Sequence, residues 1–94
     1  MSVVIVGGND RMVSNYKSVC KKYNCSAKVY TQMKGTLRDK IGNPDLLILF
    51  TGTVSHDMVH CAMKEIKGSD TKIARSHSSS ISSLKSILEE HIPA

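Results

Sequence analysis

Val3-Val4-Ile5-Val6-Gly7-Gly8 decides the fold class. Four β-branched residues in an unbroken run leave no polar alternation, so both faces of this strand must be buried. Such strands belong to the centre of a parallel sheet. Two glycines end the run, and a helical pattern follows almost at once. Met12, Val13, Tyr16, Val19, Cys20 and Tyr23 fall on one face of a helix. Asn9 or Asp10 is a good cap for its start, and Asn24 stops it.

The same alternation continues outward along the chain. Ala27-Lys28-Val29-Tyr30-Thr31 is rich in β-formers and alternates, which predicts a second strand at an edge. Leu37 to Ile41 predicts a short helix closed by Gly42-Asn43-Pro44. Asp45-Leu46-Leu47-Ile48-Leu49-Phe50-Thr51 is the most hydrophobic stretch and predicts another central strand. A third helix is expected from about Ser55 to Lys67, with Met58, Val59, Ala62, Met63 and Ile66 facing inward. Thr71-Lys72-Ile73-Ala74-Arg75 then reads as a fourth strand. A last helix runs from about Ser79 to His91 on the stripe Ile81, Leu84, Ile87 and Leu88.

The order βαβαβαβα, with short turns and no repeat, predicts one Rossmann- or flavodoxin-like α/β domain over residues 1–94. Right-handed crossovers put helices on both faces of a four-stranded parallel sheet ordered 2-1-3-4. Ninety-four residues suffice for one modest core.

Composition narrows the class. An apolar share of 40% and a charged share of 22% are ordinary for a soluble globular protein. No apolar run approaches the roughly 20 residues of a membrane span, and the start lacks a basic signal region, so the cytoplasm is the expected location. Three cysteines, Cys20, Cys25 and Cys61, show no CxxC spacing, which fits reduced thiols rather than a disulfide framework. Cys20 lies on the apolar stripe of the first helix and reads as a core residue.

The net charge of +5 is uneven: residues 1–42 carry eight Lys or Arg against two Asp, residues 43–94 five against six acids. Lys17, Lys21 and Lys22 fall on the outer face of the first helix, where a solvated surface explains them. With four aromatics and no nucleic-acid motif, nucleic acid is not the expected partner.

Strand-to-helix turns of a parallel sheet all emerge at its carboxyl edge. Three polar segments therefore converge on one rim: Gly7-Gly8-Asn9-Asp10-Arg11, Thr51-Gly52-Thr53-Val54-Ser55-His56 and Arg75-Ser76-His77-Ser78-Ser79-Ser80. Glycines after the first strand let a ligand approach the main chain, and helix starts offer N–H groups to anions. Arg75 at a strand end, followed by Ser76, Ser78 and Ser79, suits a phosphate or carboxylate. GGNDRM is neither the GxGxxG fingerprint nor a Walker loop.

His56 and His60 are helical neighbours four residues apart. HDMVH lacks the glutamate of the HExxH zinc motif, so metalloprotease chemistry is unsupported. With His77, Cys61 or Met63, the pair suits a transition metal or a haem iron instead. Ser55 beside His56 has no GxSxG elbow, so no nucleophilic triad is read. Receiver-type phosphorylation would need an Asp where Thr51 ends the third strand.

These segments carry a resemblance that covers nearly the whole chain: the opening strand into Gly7-Gly8, the hydrophobic strand Leu46–Phe50, the turn Thr53-Val54-Ser55-His56, and the Ser-rich turn Arg75–Ser80 leading to Ile81 and Leu84. On them the chain resembles a family of small bacterial proteins known as domain of unknown function 2325. The resemblance implies a Rossmann-like fold, singles out Gly7, Gly8, Ser55 and His56 as family-pattern positions, and brings no activity with it.

Three functional expectations follow. The first is a small ligand-binding or regulatory module without catalysis of its own, homodimeric, holding an anionic small molecule at Gly7–Arg11, Thr51, Thr53, Ser55, His56 and Arg75–Ser79. A domain this small often covers its remaining apolar surface with a partner. The second is a metal- or haem-binding protein acting in redox or gas sensing through His56 and His60. An enzyme acting on a phosphorylated metabolite, with His56 or His77 as acid or base, is a weaker third.

Overall fold

The computed structural model describes residues 1–31, 44–54, 56–66 and 70–91. The elements are β1 (Ser2–Val6), α1 (Val13–Lys22), β2 (Ser26–Tyr30), β3 (Leu46–Phe50), α2 (His56–Glu65), β4 (Lys72–Ser76) and α3 (Ile81–His91), with a 3-10 turn at Asp10–Met12 ahead of α1. The helix expected over 37–41, with Gly42 and Asn43, lies outside the described residues, as does Ser55.

All strand pairings are parallel, in the order β2-β1-β3-β4. The two continuous apolar runs occupy the middle of the sheet, and every residue from Val3 to Val6 and from Leu46 to Phe50 is at most 1% exposed. That is the physical content of a strand without polar alternation: helices cover it on both sides. Val3, Ile5, Leu46, Ile48, Phe50 and Ala74 face Tyr16, Val19 and Cys20 of α1 and Leu84, Ile87 and Leu88 of α3. Val4, Val6, Leu47 and Leu49 face Met58, Ala62 and Ile66, along α2.

Boundaries shift where a side chain competes with the helix. Asn9 does cap, but its Oδ1 accepts from the Arg11 N–H at 2.9 Å, and Met12 N–H bonds back to Asn9 O at 2.9 Å. These short-range bonds wind a 3-10 turn, so the α-helix starts at Val13. α3 starts at Ile81 rather than near Ser79 because Ser80 caps it: its Oγ accepts from the Ser83 N–H at 3.2 Å. Asn24 ends α1 in the left-handed conformation, with φ +60°. Among the described residues no helix is long and apolar enough to cross a membrane.

The amino edge of the sheet is closed by main-chain bonds. Ser26 N–H donates to Met1 O at 2.9 Å, and Lys72 N–H to Asp45 O at 3.1 Å. The Asp45 carboxylate accepts from the Ser2 N–H at 2.7 Å.

Candidate functional site

α1 leaves β1 toward one face of the sheet, and α2 follows β3 toward the other. The β1 and β3 turns therefore diverge, which is the topological switch point where open α/β sheets bind ligands. Here the two turns touch. Gly8 N–H donates to Thr53 Oγ1 at 2.7 Å, and that hydroxyl bonds to Phe50 O at 3.1 Å. Gly7 and Gly8 have φ of +104° and +93°, open to glycine and strained for other residues. A side-chain carbon on Gly7 would sit 2.4 Å from Val54 Cγ1.

The β3 and β4 turns are joined as closely. Thr51 N–H donates to Ser76 O at 2.8 Å. Gly52 lies against His77, whose carbonyl oxygen would be 2.4 Å from any Cβ at that position. Within the last turn, Ser76 Oγ bonds to Ser78 O at 2.8 Å and Ser80 Oγ to Ser83 Oγ at 3.0 Å. These bonds pre-organise the serine-rich loop, while Ser78 and Ser80 keep exposed side chains.

One connection was not foreshadowed by the turn segments. Tyr16 is fully buried under the rim, and its hydroxyl donates to Ser79 O at 2.7 Å. Asn9 N–H approaches the same hydroxyl at 3.4 Å. A single phenol thus ties the β1 turn to the loop before α3. Its signal was its place on the α1 stripe, because a buried tyrosine must find a partner for its O–H. Thr31, just after β2, hydrogen-bonds the Asp10 carboxylate and brings a fourth turn to the rim.

The structure thus brings Gly7, Gly8, Asn9, Asp10, Thr51, Thr53, Ser76, His77, Ser78 and Ser79 together at the carboxyl edge. Arg11 stands there too, exposed and, among the described residues, without a carboxylate partner. Arg75 is exposed on β4, and its guanidinium rests 4.0 Å from Met63 Sδ, alongside α2 and below its start. It also has no carboxylate partner among the described residues. Asp10 contributes the one described carboxylate of the three turn segments, and it is engaged by Thr31.

His56 opens α2 and His60 follows one turn later, with an exposed side chain. Cys61 and Met63 are half-buried. Among the described residues no three His, Cys, Asp or Glu side chains gather into a group that could hold a metal ion. Ser55 and the His56 side chain lie outside what the structure describes.

Residues 2–91 match the sequence model of a family described as an uncharacterized protein conserved in bacteria, DUF2325. No curated protein and no solved structure matches the chain.

Proposed function

The chain belongs to the bacterial family DUF2325, and from that premise we propose that it is a ligand-binding module whose carboxyl rim takes a small phosphate- or carboxylate-bearing molecule, without catalysis of its own. The observation that carries this reading is the rim itself: turns from β1, β3 and β4 are hydrogen-bonded into one surface that bears the exposed Arg11, with the exposed Arg75 on the adjoining end of β4, and neither arginine has a carboxylate partner among the described residues. Arginine without a carboxylate partner is the side chain best suited to fork onto a phosphate or carboxylate. The same rim carries Thr51, Thr53, Ser78 and Ser80, all exposed residues.

The rim amides are not a bare anion cradle. Gly8 N–H is engaged by Thr53, and Ser80 and Ser83 N–H by serine hydroxyls. An anion therefore competes with hydroxyls for those donors, and the arginines supply the attraction that favours it. Arg75 must swing its exposed side chain off Met63 toward the turns to take part.

Calorimetric titration with inorganic phosphate tests the reading on wild-type, Arg11→Ala and Arg75→Ala proteins. Each charged hydrogen bond is worth about 1.5–3 kcal/mol, so each variant should bind roughly tenfold or more weakly while its unfolding is unchanged. Phosphate held at full affinity by both variants would show that the site lies elsewhere.

Self-association is the companion proposal. β4 ends the sheet, and its Ile73 is 37% exposed. Pairing of two copies along that edge would cover the side chain and the strand edge that is unpaired among the described residues. Sedimentation velocity should then find a dimer for the wild type and a monomer for Ile73→Glu. A monomeric wild type at high protein concentration would refute it.

A further inference from the structure

The carboxyl-terminal end of α1 holds two of the three thiols in one structural motif. Cys25 N–H bonds to Cys20 O at 2.9 Å, and Asn24 N–H to Lys21 O at 3.0 Å. Asn24 has φ +60°. This is a complete Schellman motif, in which the residues occupied here by Cys20 and Cys25 normally make an apolar contact. Both cysteines are buried in the same core cluster, Cys20 fully and Cys25 at 7% exposure.

We infer that Cys20 and Cys25 are a dithiol that closes to an intramolecular disulfide across the helix end when a low-molecular-weight disulfide is present. The main-chain bond fixes the reach. By bond lengths alone, one N–H···O link keeps the two Cα atoms within about 7 Å, and bond angles shorten that further. A disulfide spans Cα separations of about 4.4–6.8 Å. Burial, with the neighbouring Cys25 charge adding to it, pushes the Cys20 thiol up to about 11, so exchange is slow and needs the reagent in excess. Burial also raises Cys25, while the chain's amino terminus pulls it down and Asp45 pushes it up.

The reaction is ordinary thiol–disulfide exchange. Cys25, the more accessible of the two, loses its proton, and its sulfur attacks one sulfur of the reagent RSSR, expelling RS⁻ to leave Cys25–S–S–R. Cys20 then loses its proton and attacks the Cys25 sulfur, expelling the second RS⁻. The protein loses two protons and two electrons, and the reagent leaves as two RSH. Cys61, half-buried on α2, has no part in the step.

The test uses the wild-type protein incubated with oxidised glutathione, unfolded, alkylated, and digested with trypsin. Cleavage after Lys17, Lys21, Lys22 and Lys28 separates the two thiols onto Ser18–Lys21 and Tyr23–Lys28. Mass spectrometry should find these two peptides joined, and a reductant should release them. Recovery of both peptides alkylated, each carrying its own glutathione, or joined instead to the Cys61 peptide would overturn the inference.

Discussion

Replacing Gly7 with alanine is expected to lower the stability of the protein by about 2–5 kcal/mol. Two independent costs add. A side chain at φ +104° is held in a conformation disfavoured by roughly 1–2 kcal/mol. The new carbon would also sit 2.4 Å from Val54 Cγ1 and 3.0 Å from Phe50 O. Valine has no flexible tip to withdraw, so the β3 turn must move, at about 1–3 kcal/mol for overpacking. That displacement pulls Thr53 away from the Gly8 N–H, and the joint between the β1 and β3 turns opens. For a domain of this size the midpoint of thermal unfolding should fall on the order of 10 °C or more. A circular-dichroism melt within about 2 °C of wild type would mean that the two turns do not meet as described.

Truncating Tyr16 to alanine should cost about 3–5 kcal/mol, the range for removing a buried aromatic ring. The ring is fully buried and lies 5.5 Å from the Phe50 ring at a tilt of 43°. Its loss leaves a cavity between α1 and the sheet. The more informative variant is Tyr16→Phe, which keeps the ring and deletes the hydroxyl. Ser79 O then loses a 2.7 Å bond, at about 1–2 kcal/mol. Because that bond joins the loop before α3 to α1, amide exchange around Ser80–Ile81 should accelerate while the β3 core stays protected. Chemical denaturation reads the stability, and hydrogen exchange reads the locality. Equal stability for wild type and Tyr16→Phe would show that the hydroxyl carries no share of the rim.

The sheet was legible because its two central strands contain no residue that tolerates water. Val3–Val6 and Leu46–Phe50 admit only a doubly covered position, and right-handed crossovers then leave few strand orders. The α1 stripe was legible for a related reason: its apolar positions recur at helical spacing, and Tyr16, Val19 and Cys20 are the three that the structure buries on that helix. Helix starts were less so. Ser78, Ser79 and Ser80 are chemically alike as caps, and only the Ser80–Ser83 bond picks out one of them. At the rim, composition revealed which turns would meet, since a parallel topology compels it, but not how they meet. The Gly8–Thr53 bond, the Tyr16–Ser79 bond and the packing of Gly52 on His77 depend on distances between segments dozens of residues apart. No local pattern encodes them. Arg75 illustrates the same point: the sequence places it at a strand end, while its side-chain direction, alongside Met63, follows from which face of β4 it occupies.

The proposed anion-binding surface is the carboxyl rim as a whole. It is tested most directly by amide nitrogen–proton correlation spectra recorded through a titration with inorganic phosphate. Saturable shifts should gather at residues 8–11, 51–54 and 77–80, with α1's lysine face and the amino edge unmoved. Shifts that fail to saturate, or that gather on Lys17, Lys21 and Lys22 instead, would contradict it.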